Sequence, residues 1–218
     1  MSAKLRLLNN ITKGPAIDLY IDGKEVLSGL NYTELSNFIN VSEGRHHVAV
    51  TAHRTISPLY SLDAYLAANA EYNGIAAGAI GSVGLVILKN RKECPELGNA
   101  HVRFVNAAYG SGPVSLLVDG PTLLFENVSY GEVSHPQHLS MKAGTYRWAI
   151  SPAGSVEILG EPKNIKLDDR HTYTLVSTGL FGDKDYPLRI AVLKDSEDGC
   201  TTTPVTSSAT RKPILGIF

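Results

Sequence analysis

Apolar and polar residues alternate along this chain in short runs, and turn-forming residues separate one run from the next. Alternation with a period of two is typical of β-strands with one buried face, whereas a helical period is scarce here. Val48 and Val50 occupy alternate positions of one such run, and Trp148 and Ile150 occupy alternate positions of another. We expect these four side chains to lie in a hydrophobic core.

Tight turns are predicted at two Asp-Gly pairs, Asp22-Gly23 and Asp119-Gly120, each of which stands between two strand-like runs. Residues at the centre of a two-residue hairpin turn need positive φ, which Asp, Asn and Gly tolerate best. Pro121 follows the second pair and removes one backbone donor from the next strand. Each pair therefore predicts an antiparallel hairpin.

The pattern of the first half returns in the second half. Residues 4–89 and 101–194 align with an offset that grows from about 97 to about 105, so the second copy carries small insertions. The matched positions include Arg6 with Arg103, Asn9 with Asn106, Leu27 with Leu124, Tyr32 with Tyr130, Glu34 with Glu132, Ser36 with Ser134, Gly44 with Gly144, Tyr72 with Tyr173, Gly78 with Gly179, and Leu88-Lys89 with Leu193-Lys194. A repeat of this length indicates a duplicated domain rather than a short solenoid unit.

About seven strands per copy, with a turn every 8–12 residues, predict an all-β fold of two tandem Ig-like antiparallel β-sandwiches. We expect the first sandwich in residues 1–91, a linker in 92–100 and the second sandwich in 101–195. Residues 196–218 form a polar Thr/Ser/Pro segment with an apolar end, which predicts an extended C-terminal tail.

One strand pair of the first copy is apolar on both faces. Ile75, Ala77 and Ala79 fall on the face turned away from the predicted core, yet they are apolar or small. A strand that is apolar on both faces is buried on both. These three residues are interaction candidates, and the partner is the sister domain, a neighbouring subunit or neither.

The apolar end of the tail is a second interaction candidate. Its apolar residues are Ile214, Leu215, Ile217 and Phe218. An extended segment of this kind can add a strand to an exposed sheet edge of a neighbour, which predicts a homo-oligomer with head-to-tail contacts that propagate as a filament or layer. The alternative is a monomer whose tail packs on its own second domain.

The two cysteines, Cys94 and Cys200, each follow the closing strand of one copy. This equivalence favours a disulfide, either within one chain or between Cys94 of one subunit and Cys200 of the next. The alternative to a disulfide is that both cysteines are free thiols in loops. Two cysteines are too few for a structural zinc site.

No motif predicts catalysis, a cofactor or a metal site. His135 and His138 have a metal-like spacing, but residues three apart on a strand point to opposite faces. The same alternation places His46, the counterpart of Tyr146, inside the first sandwich and His47 outside it. The acidic pairs Asp168-Asp169 and Asp183/Asp185 lack the density of oxygen ligands that a calcium loop shows.

The composition of the chain limits the kinds of partner and the cellular locations that we expect. The formal net charge is −1, so no basic surface points to nucleic acid, and 43% hydrophobic residues suit a folded protein. The uncharged run 72–88 is too short and too rich in glycine for a membrane span. The first ten residues have no apolar core of a signal peptide, which leaves cytoplasmic residence open beside release by another route, such as a spore.

The motifs of both copies resemble the bacterial family known as domain of unknown function 4397. The resemblance is carried by the runs Arg103-Phe104-Val105-Asn106-Ala107, Asp18-Leu19-Tyr20-Ile21-Asp22-Gly23, Gly144-Thr145-Tyr146 and Val192-Leu193-Lys194-Asp195, together with Tyr32 and Tyr130. The first copy departs from the pattern at His46, where the family usually has Tyr. The resemblance implies a β-sandwich, commonly of secreted or envelope-attached bacterial proteins, and it implies no catalytic residue.

We therefore expect a non-catalytic structural or interaction protein of a bacterial cell or spore surface that assembles with itself. The alternative is an adhesin module that binds a carbohydrate, such as a surface glycan, or another ligand. An enzyme is the third class, and a deep pocket with several strongly perturbed titratable groups would distinguish it.

Overall fold

The computed structural model describes residues 1–135 and 137–195, and these residues form sixteen β-strands and no helix. Each copy contributes eight strands, one more than the sequence predicted. The strands are β1 Ser2–Thr12, β2 Ile17–Ile21, β3 Lys24–Leu30, β4 Ile39–Ser42, β5 Gly44–Ala52, β6 Pro58–Leu66, β7 Glu71–Ala79, β8 Ser82–Lys89, β9 Asn99–Asn106, β10 Val114–Val118, β11 Thr122–Val128, β12 Leu139–Lys142, β13 Gly144–Pro152, β14 Leu159–Leu167, β15 Thr172–Thr178 and β16 Arg189–Lys194. β9 thus begins inside the range predicted as linker.

The strands form four sheets, two in each copy, with the same order in both copies. We call the sheets β4-β1-β7-β8 and β12-β9-β15-β16 the inner sheets, and the sheets β3-β2-β5-β6 and β11-β10-β13-β14 the outer sheets. Two tandem β-sandwiches are therefore confirmed. One pairing in each sandwich is parallel, β1 with β7 and β9 with β15, where we had expected only antiparallel neighbours.

The two Asp-Gly hairpins are confirmed, and the structure adds a reason for the aspartate. Asp22 and Asp119 have φ of 52° and 47°, and the glycines that follow them have φ of 77° and 98°. Asp22 Oδ1 accepts a hydrogen bond from the backbone N–H of His47 at 2.9 Å, and Asp119 Oδ1 accepts one from Arg147 at 2.8 Å. Each turn aspartate thus also binds the adjacent strand of the outer sheet.

Each sandwich has its own hydrophobic core between its two sheets. The residues predicted from the alternation all lie there: Val48 and Val50 are 0% exposed in the first core, and Trp148 and Ile150 are 0% and 2% exposed in the second. The pattern of alternate apolar positions therefore identified the buried faces correctly.

His46 takes the place of a tyrosine in the first core. Its ring is buried, with Nε2 2.9 Å from the carbonyl oxygen of Ser42 and Nδ1 2.7 Å from Asp22 Oδ2. In the second copy the Tyr146 hydroxyl donates to the carbonyl of Lys142 at the same distance. The Ser42 carbonyl and the Asp22 carboxylate can only accept, so the ring donates to both from its two nitrogens when it is protonated.

A third hydrophobic cluster lies between the two domains. It contains Leu8, Ile75 and Ala77 from the inner sheet of the first domain, and Val105, Ala107, Val176 and Leu193 from that of the second. The two inner sheets therefore pack face to face, and each is buried on both sides. The molecule is a stack of four sheets, with hydrophobic side chains between each sheet and the next.

A buried polar network closes one side of this domain interface. The Arg103 guanidinium donates to Thr174 Oγ1 at 2.7 Å, to the carbonyl of Lys89 at 2.9 Å and to Asn90 Oδ1 at 3.0 Å. Its Nη2 is also 3.3 Å from Asp195 Oδ2, and both side chains are at least 98% buried. Arg103 thus joins the second domain to the last strand of the first.

Arg6 makes the reciprocal connection. Its Nε donates to Asn73 Oδ1 at 2.7 Å, and its Nη2 donates to the carbonyl of Lys194 at 2.5 Å. Lys194 is the counterpart of Lys89, just as Arg6 is the counterpart of Arg103. The duplicated sequence has therefore built an interface with approximate two-fold symmetry, in which each arginine reaches the closing strand of the other domain.

Truncation of a side chain in the third cluster tests the interface. Ile75 is 0% exposed, so Ile75→Ala leaves a cavity and we expect the free energy of unfolding to fall by about 2–5 kcal/mol. Ile56 is 91% exposed, and Ile56→Ala is the matched control, with an expected change within about 0.5 kcal/mol. Urea unfolding of both variants measures the difference. Equal stability of the two would show that the inner sheets do not pack on each other.

His46 predicts a pH dependence of stability. The hydrogen bond to Asp22 raises the pKa of His46, so the folded state binds the proton more tightly than the unfolded state. The stabilisation is present below the unfolded pKa of about 6.5 and is lost as the pH rises through the folded pKa. In His46→Tyr the hydroxyl can take the bond to Ser42 without a charge, so this loss should disappear. Unfolding of both proteins from pH 5.5 to 9 tests this, and parallel curves would contradict it.

Candidate functional site: a groove beside the domain junction

The longest insertion of the second copy is the loop 179–188, which joins β15 to β16 where the first copy has only residues 80 and 81 between β7 and β8. We call it the long loop. Its backbone is fixed by hydrogen bonds from Leu180 N to Tyr186 O at 2.8 Å, from Asp185 N to Asp183 Oδ1 at 2.9 Å, and from Phe181 N to Tyr109 O at 3.0 Å. Inserted loops on a regular scaffold are common places for binding.

The long loop also contacts the first domain. The Tyr186 ring packs edge-on against Tyr32, with centroids 5.2 Å apart and an interplanar angle of 66°. Lys13 forms an ion pair with Asp183. The hydrogen bond and charge of Asp183 raise the pKa of Lys13, and the bond from Lys13 lowers the pKa of Asp183. These contacts place Tyr32 of the first domain beside the loop of the second.

Further aromatic rings surround the loop. Tyr109 and Tyr130 pack edge to face with centroids 5.7 Å apart. Phe181 is 50% exposed, and Tyr130 is 36% exposed. Aromatic rings that are partly exposed offer apolar faces to a ligand, and tyrosine adds a hydroxyl at the rim. This end of the molecule is therefore rich in accessible ring surface.

A groove of about 310 Å³ lies next to the Tyr32–Tyr186 pair, between the two domains. Its volume is at the lower end of the range for small-molecule sites. Its residues are Leu8, Thr33 and Leu35 from the first domain, and Lys163, Thr178 and five consecutive residues of β16, Arg189, Ile190, Ala191, Val192 and Leu193, from the second. Neither domain alone would form this groove.

Among the described residues, the charged side chains that line the groove are both positive, Lys163 and Arg189. Lys163 Nζ donates to the carbonyl of Ile190 at 3.1 Å, which leaves two of its three protons for other acceptors. Within the described part of the chain, the exposed Arg189 guanidinium has no hydrogen-bond or ion-pair partner. Burial and the nearby Tyr186 raise the pKa of Tyr32, while the charge of Arg189 opposes the rise. Tyr186 lies three residues before Arg189 in the chain, and Tyr32 immediately precedes Thr33, so the aromatic pair adjoins two residues of the groove lining.

β16 is the edge strand of its sheet, but two of its carbonyls are already bonded to side chains. Lys163 donates to Ile190 O, and Arg6 donates to Lys194 O. Side chains that cover edge carbonyls hinder the addition of another strand. The groove therefore offers its side chains, rather than its backbone, to a ligand.

A larger cleft of about 560 Å³ lies elsewhere, along residues 89–93 with Gln137 and His138. Asn90 Nδ2, at its wall, donates to the carbonyl of Asp195 at 2.9 Å. Asp195 is the last of the described residues 137–195, so the described part of the chain ends near this cleft. Burial lowers the pKa of His138 to about 4, so its ring is neutral. We do not assign a ligand to this cleft, because the described part of the chain ends near it.

The residues proposed from the sequence are placed as follows. Ile75 is 0% exposed and Ala77 is 6% exposed, both against the second domain, so neither is available to a neighbouring subunit. Ala79 is half-buried at the end of β7. Cys94 is partly buried after β8, and the described residues contain no free cysteine. The remaining candidates, Cys200, Ile214, Leu215, Ile217 and Phe218, lie outside the described residues.

The groove residues Lys163, Arg189 and Thr33 were missed from the sequence. The sequence did contain one signal for this region. The offset between the two copies grows along the chain, and part of that growth is the insertion that forms the long loop. The dismissal of His135 and His138 as metal ligands stays an interpretation. Within residues 1–135 and 137–195 there is no group of three or more His, Cys, Asp or Glu residues placed to hold a metal ion.

The chain belongs to the family described as Domain of unknown function (DUF4397), which matches residues 3–117 and again residues 100–205. Two successive matches agree with two tandem copies, so the resemblance seen in the sequence is confirmed. None of the curated proteins compared with the chain matches it significantly.

The solved structures that the chain matches are distant from it in sequence and have low TM-scores. The Bacillus anthracis TIE protein is 10% identical with a TM-score of 0.29, over 84% of this chain and 34% of that one. A family CBM26 module of Eubacterium rectale Amy13K, solved in complex with maltoheptaose, is 11% identical with a TM-score of 0.26, over 91% and 99%. A putative cell adhesion protein of Bacteroides eggerthii is 10% identical with a TM-score of 0.22, over 89% and 95%. The chain thus spans about a third of the length of the Bacillus anthracis protein.

The uncharged run 72–88 was judged too short for a membrane span. It forms most of β7 and β8, which pair with each other in the inner sheet. In the part of the chain that the structure describes, no helix has the length and apolar character needed to cross a membrane.

Proposed function

We propose that this protein is a non-catalytic binding module of a bacterial cell or spore surface, and that it holds its ligand in the groove beside β16. One observation carries the proposal. The groove is lined by Arg189, whose guanidinium has no partner among the described residues, and by Thr33, which follows Tyr32 of the half-buried Tyr32–Tyr186 pair, and it forms at a junction that only the two domains together create. A charge without an internal partner, beside accessible rings, is the chemistry of a recognition site.

The groove lining supports binding rather than catalysis. It supplies hydroxyl groups from Thr33 and Thr178, cations from Lys163 and Arg189, and apolar side chains. General acid–base catalysis and covalent catalysis depend on a carboxylate, imidazole, thiol or activated hydroxyl in register with the substrate. The described residues of the lining include no carboxylate, imidazole or thiol, and the amine among them, that of Lys163, is hydrogen-bonded to a backbone carbonyl.

The packing of the two domains supports a pre-organised site. The third hydrophobic cluster and the two reciprocal arginines position Thr33 and Leu35 opposite β16 before any ligand arrives. A site that is already formed loses less conformational entropy when it binds. The same packing buries Ile75 and Ala77, so these two residues are not available for self-assembly.

The surface location is supported by the family resemblance and by a proposed disulfide between Cys94 and Cys200 within one chain. Asn90 bonds to Asp195 at 2.9 Å, Cys94 is four residues beyond Asn90, and Cys200 is five residues beyond Asp195. Five residues can span up to about 17 Å, so the two sulfurs are within reach of each other. Disulfides of this kind persist mainly in oxidising compartments.

Intact mass spectrometry without reductant tests the disulfide. We expect a monomer lighter by two hydrogens than the reduced protein, and no alkylation by iodoacetamide until a reductant is added. Cys94→Ser should leave one alkylatable thiol at Cys200. A covalent dimer would instead show that the bond joins two chains, and two alkylatable thiols in the untreated protein would refute a disulfide.

The binding function is tested with an array of bacterial wall polymers, extracellular polysaccharides and surface proteins. We expect the wild type to bind at least one of them, and the double variant Tyr32→Ala/Arg189→Ala to lose that binding. Arg45→Ala is the matched control, because Arg45 is an exposed arginine on β5 of an outer sheet. Identical binding by the double variant and the wild type would place the site elsewhere, and a wild type that binds nothing would reject the function.

A further inference from the structure

We propose that the ligand of the groove is an acidic saccharide, with its carboxylate bound by Arg189 and a sugar ring packed against the Tyr32–Tyr186 pair. The inference rests on the proposed binding function and names the chemical class of its ligand. Four features of the groove lead to it, namely its charge, its hydroxyls, its aromatic end and its covered strand edge.

The positive charge of the groove favours a ligand that carries a negative charge. The described residues that line the groove include Lys163 and Arg189 but no carboxylate, so no acidic side chain among them neutralises these two charges. Within the described residues Arg189 has no partner, and its planar guanidinium presents paired donors that match a carboxylate. An anionic ligand would supply the missing counter-charge through charge-assisted hydrogen bonds.

The aromatic pair and the hydroxyls favour a sugar over a simple anion. Tyr32 immediately precedes Thr33, which lines the groove, and its ring packs edge-on against Tyr186, which lies three residues before Arg189. A sugar ring has an apolar face of C–H groups, which packs on aromatic rings, and a rim of hydroxyls, which pairs with groups such as Thr33 and Thr178. A carboxylated sugar uses all three kinds of group at once.

The strand edge argues against an acidic peptide. Peptides bind a sheet edge mainly through backbone hydrogen bonds to an unpaired strand. Along β16 the carbonyl of Ile190 already accepts from Lys163, and that of Lys194 accepts from Arg6. The ladder that a peptide would need is therefore interrupted at both carbonyls, whereas a saccharide depends only on side chains.

Titration calorimetry with oligosaccharides of uronic acids tests the inference. The probes are oligogalacturonate, alginate and hyaluronan fragments, each with its methyl-esterified form, in which the carboxylates are uncharged but the sugar rings are kept. We expect at least one acidic form to bind the full-length protein. Its ester should bind at least about tenfold more weakly, since the charged hydrogen bonds are lost.

Substitutions in the groove show which side chain contacts which part of the ligand. Arg189→Ala should weaken the acidic form about tenfold and leave the ester unchanged, and Arg189→Lys should restore part of the loss. Tyr32→Ala should weaken both forms, and Arg45→Ala should change neither. Circular dichroism confirms that each variant is folded.

Three results would overturn the inference. If acid and ester bind equally and Tyr32→Ala weakens both, the groove is a binding site but the ligand is a neutral sugar. If oligoglutamate binds and Arg189→Ala abolishes it while no saccharide binds, the ligand is an acidic peptide. If none of these probes binds, the acidic saccharide is rejected, and the array of surface polymers and proteins decides separately whether the groove binds anything.

Discussion

The burial of both faces of the two inner sheets is the constraint on which this structure depends. β1 and β7 of the first domain, and β9 and β15 of the second, must pack on an outer sheet on one side and on the sister domain on the other. Strands buried in this way are apolar on both faces, which is why Ile75 and Ala77 stood out in the sequence. Because the inner sheets pack on each other, a loop of one domain lies opposite β16 of the other and a groove forms at the junction.

The duplication explains the polar part of this interface, and one substitution adjusts it. Arg6 and Arg103 make matching bonds to Lys194 O and Lys89 O. The symmetry is broken at one position, which is Asn90 in the first copy and Asp195 in the second. The buried polar network at the domain interface therefore contains a single carboxylate from this pair of positions. Burial raises the pKa of Asp195, while the charge of Arg103 opposes the rise. A buried arginine needs such a counter-charge, because an unpaired one is costly.

The sequence pattern predicted those features of the fold that depend on residues close together in the chain. Positive φ at Asp22 and Asp119, burial of Val48 and Trp148, and the inward position of His46 all follow from turn propensity and strand alternation. The parallel pairing of β1 with β7 was not predicted, because pairing of strands far apart in sequence leaves no periodic signal. The groove was missed for a related reason. Arg189 and Thr33 carry no motif, and they become a site only when two domains pack together.

The two sandwiches form one pre-organised unit, and residual dipolar couplings of the backbone amides test this most directly. Couplings measured from both domains of the weakly aligned protein should fit a single alignment tensor when the coordinates of residues 1–135 and 137–195 are used together. Val176→Lys, which places a charge in the third cluster, should separate them into two tensors of different magnitude. Two different tensors already in the wild-type protein would show that the domains move independently, and would contradict the account.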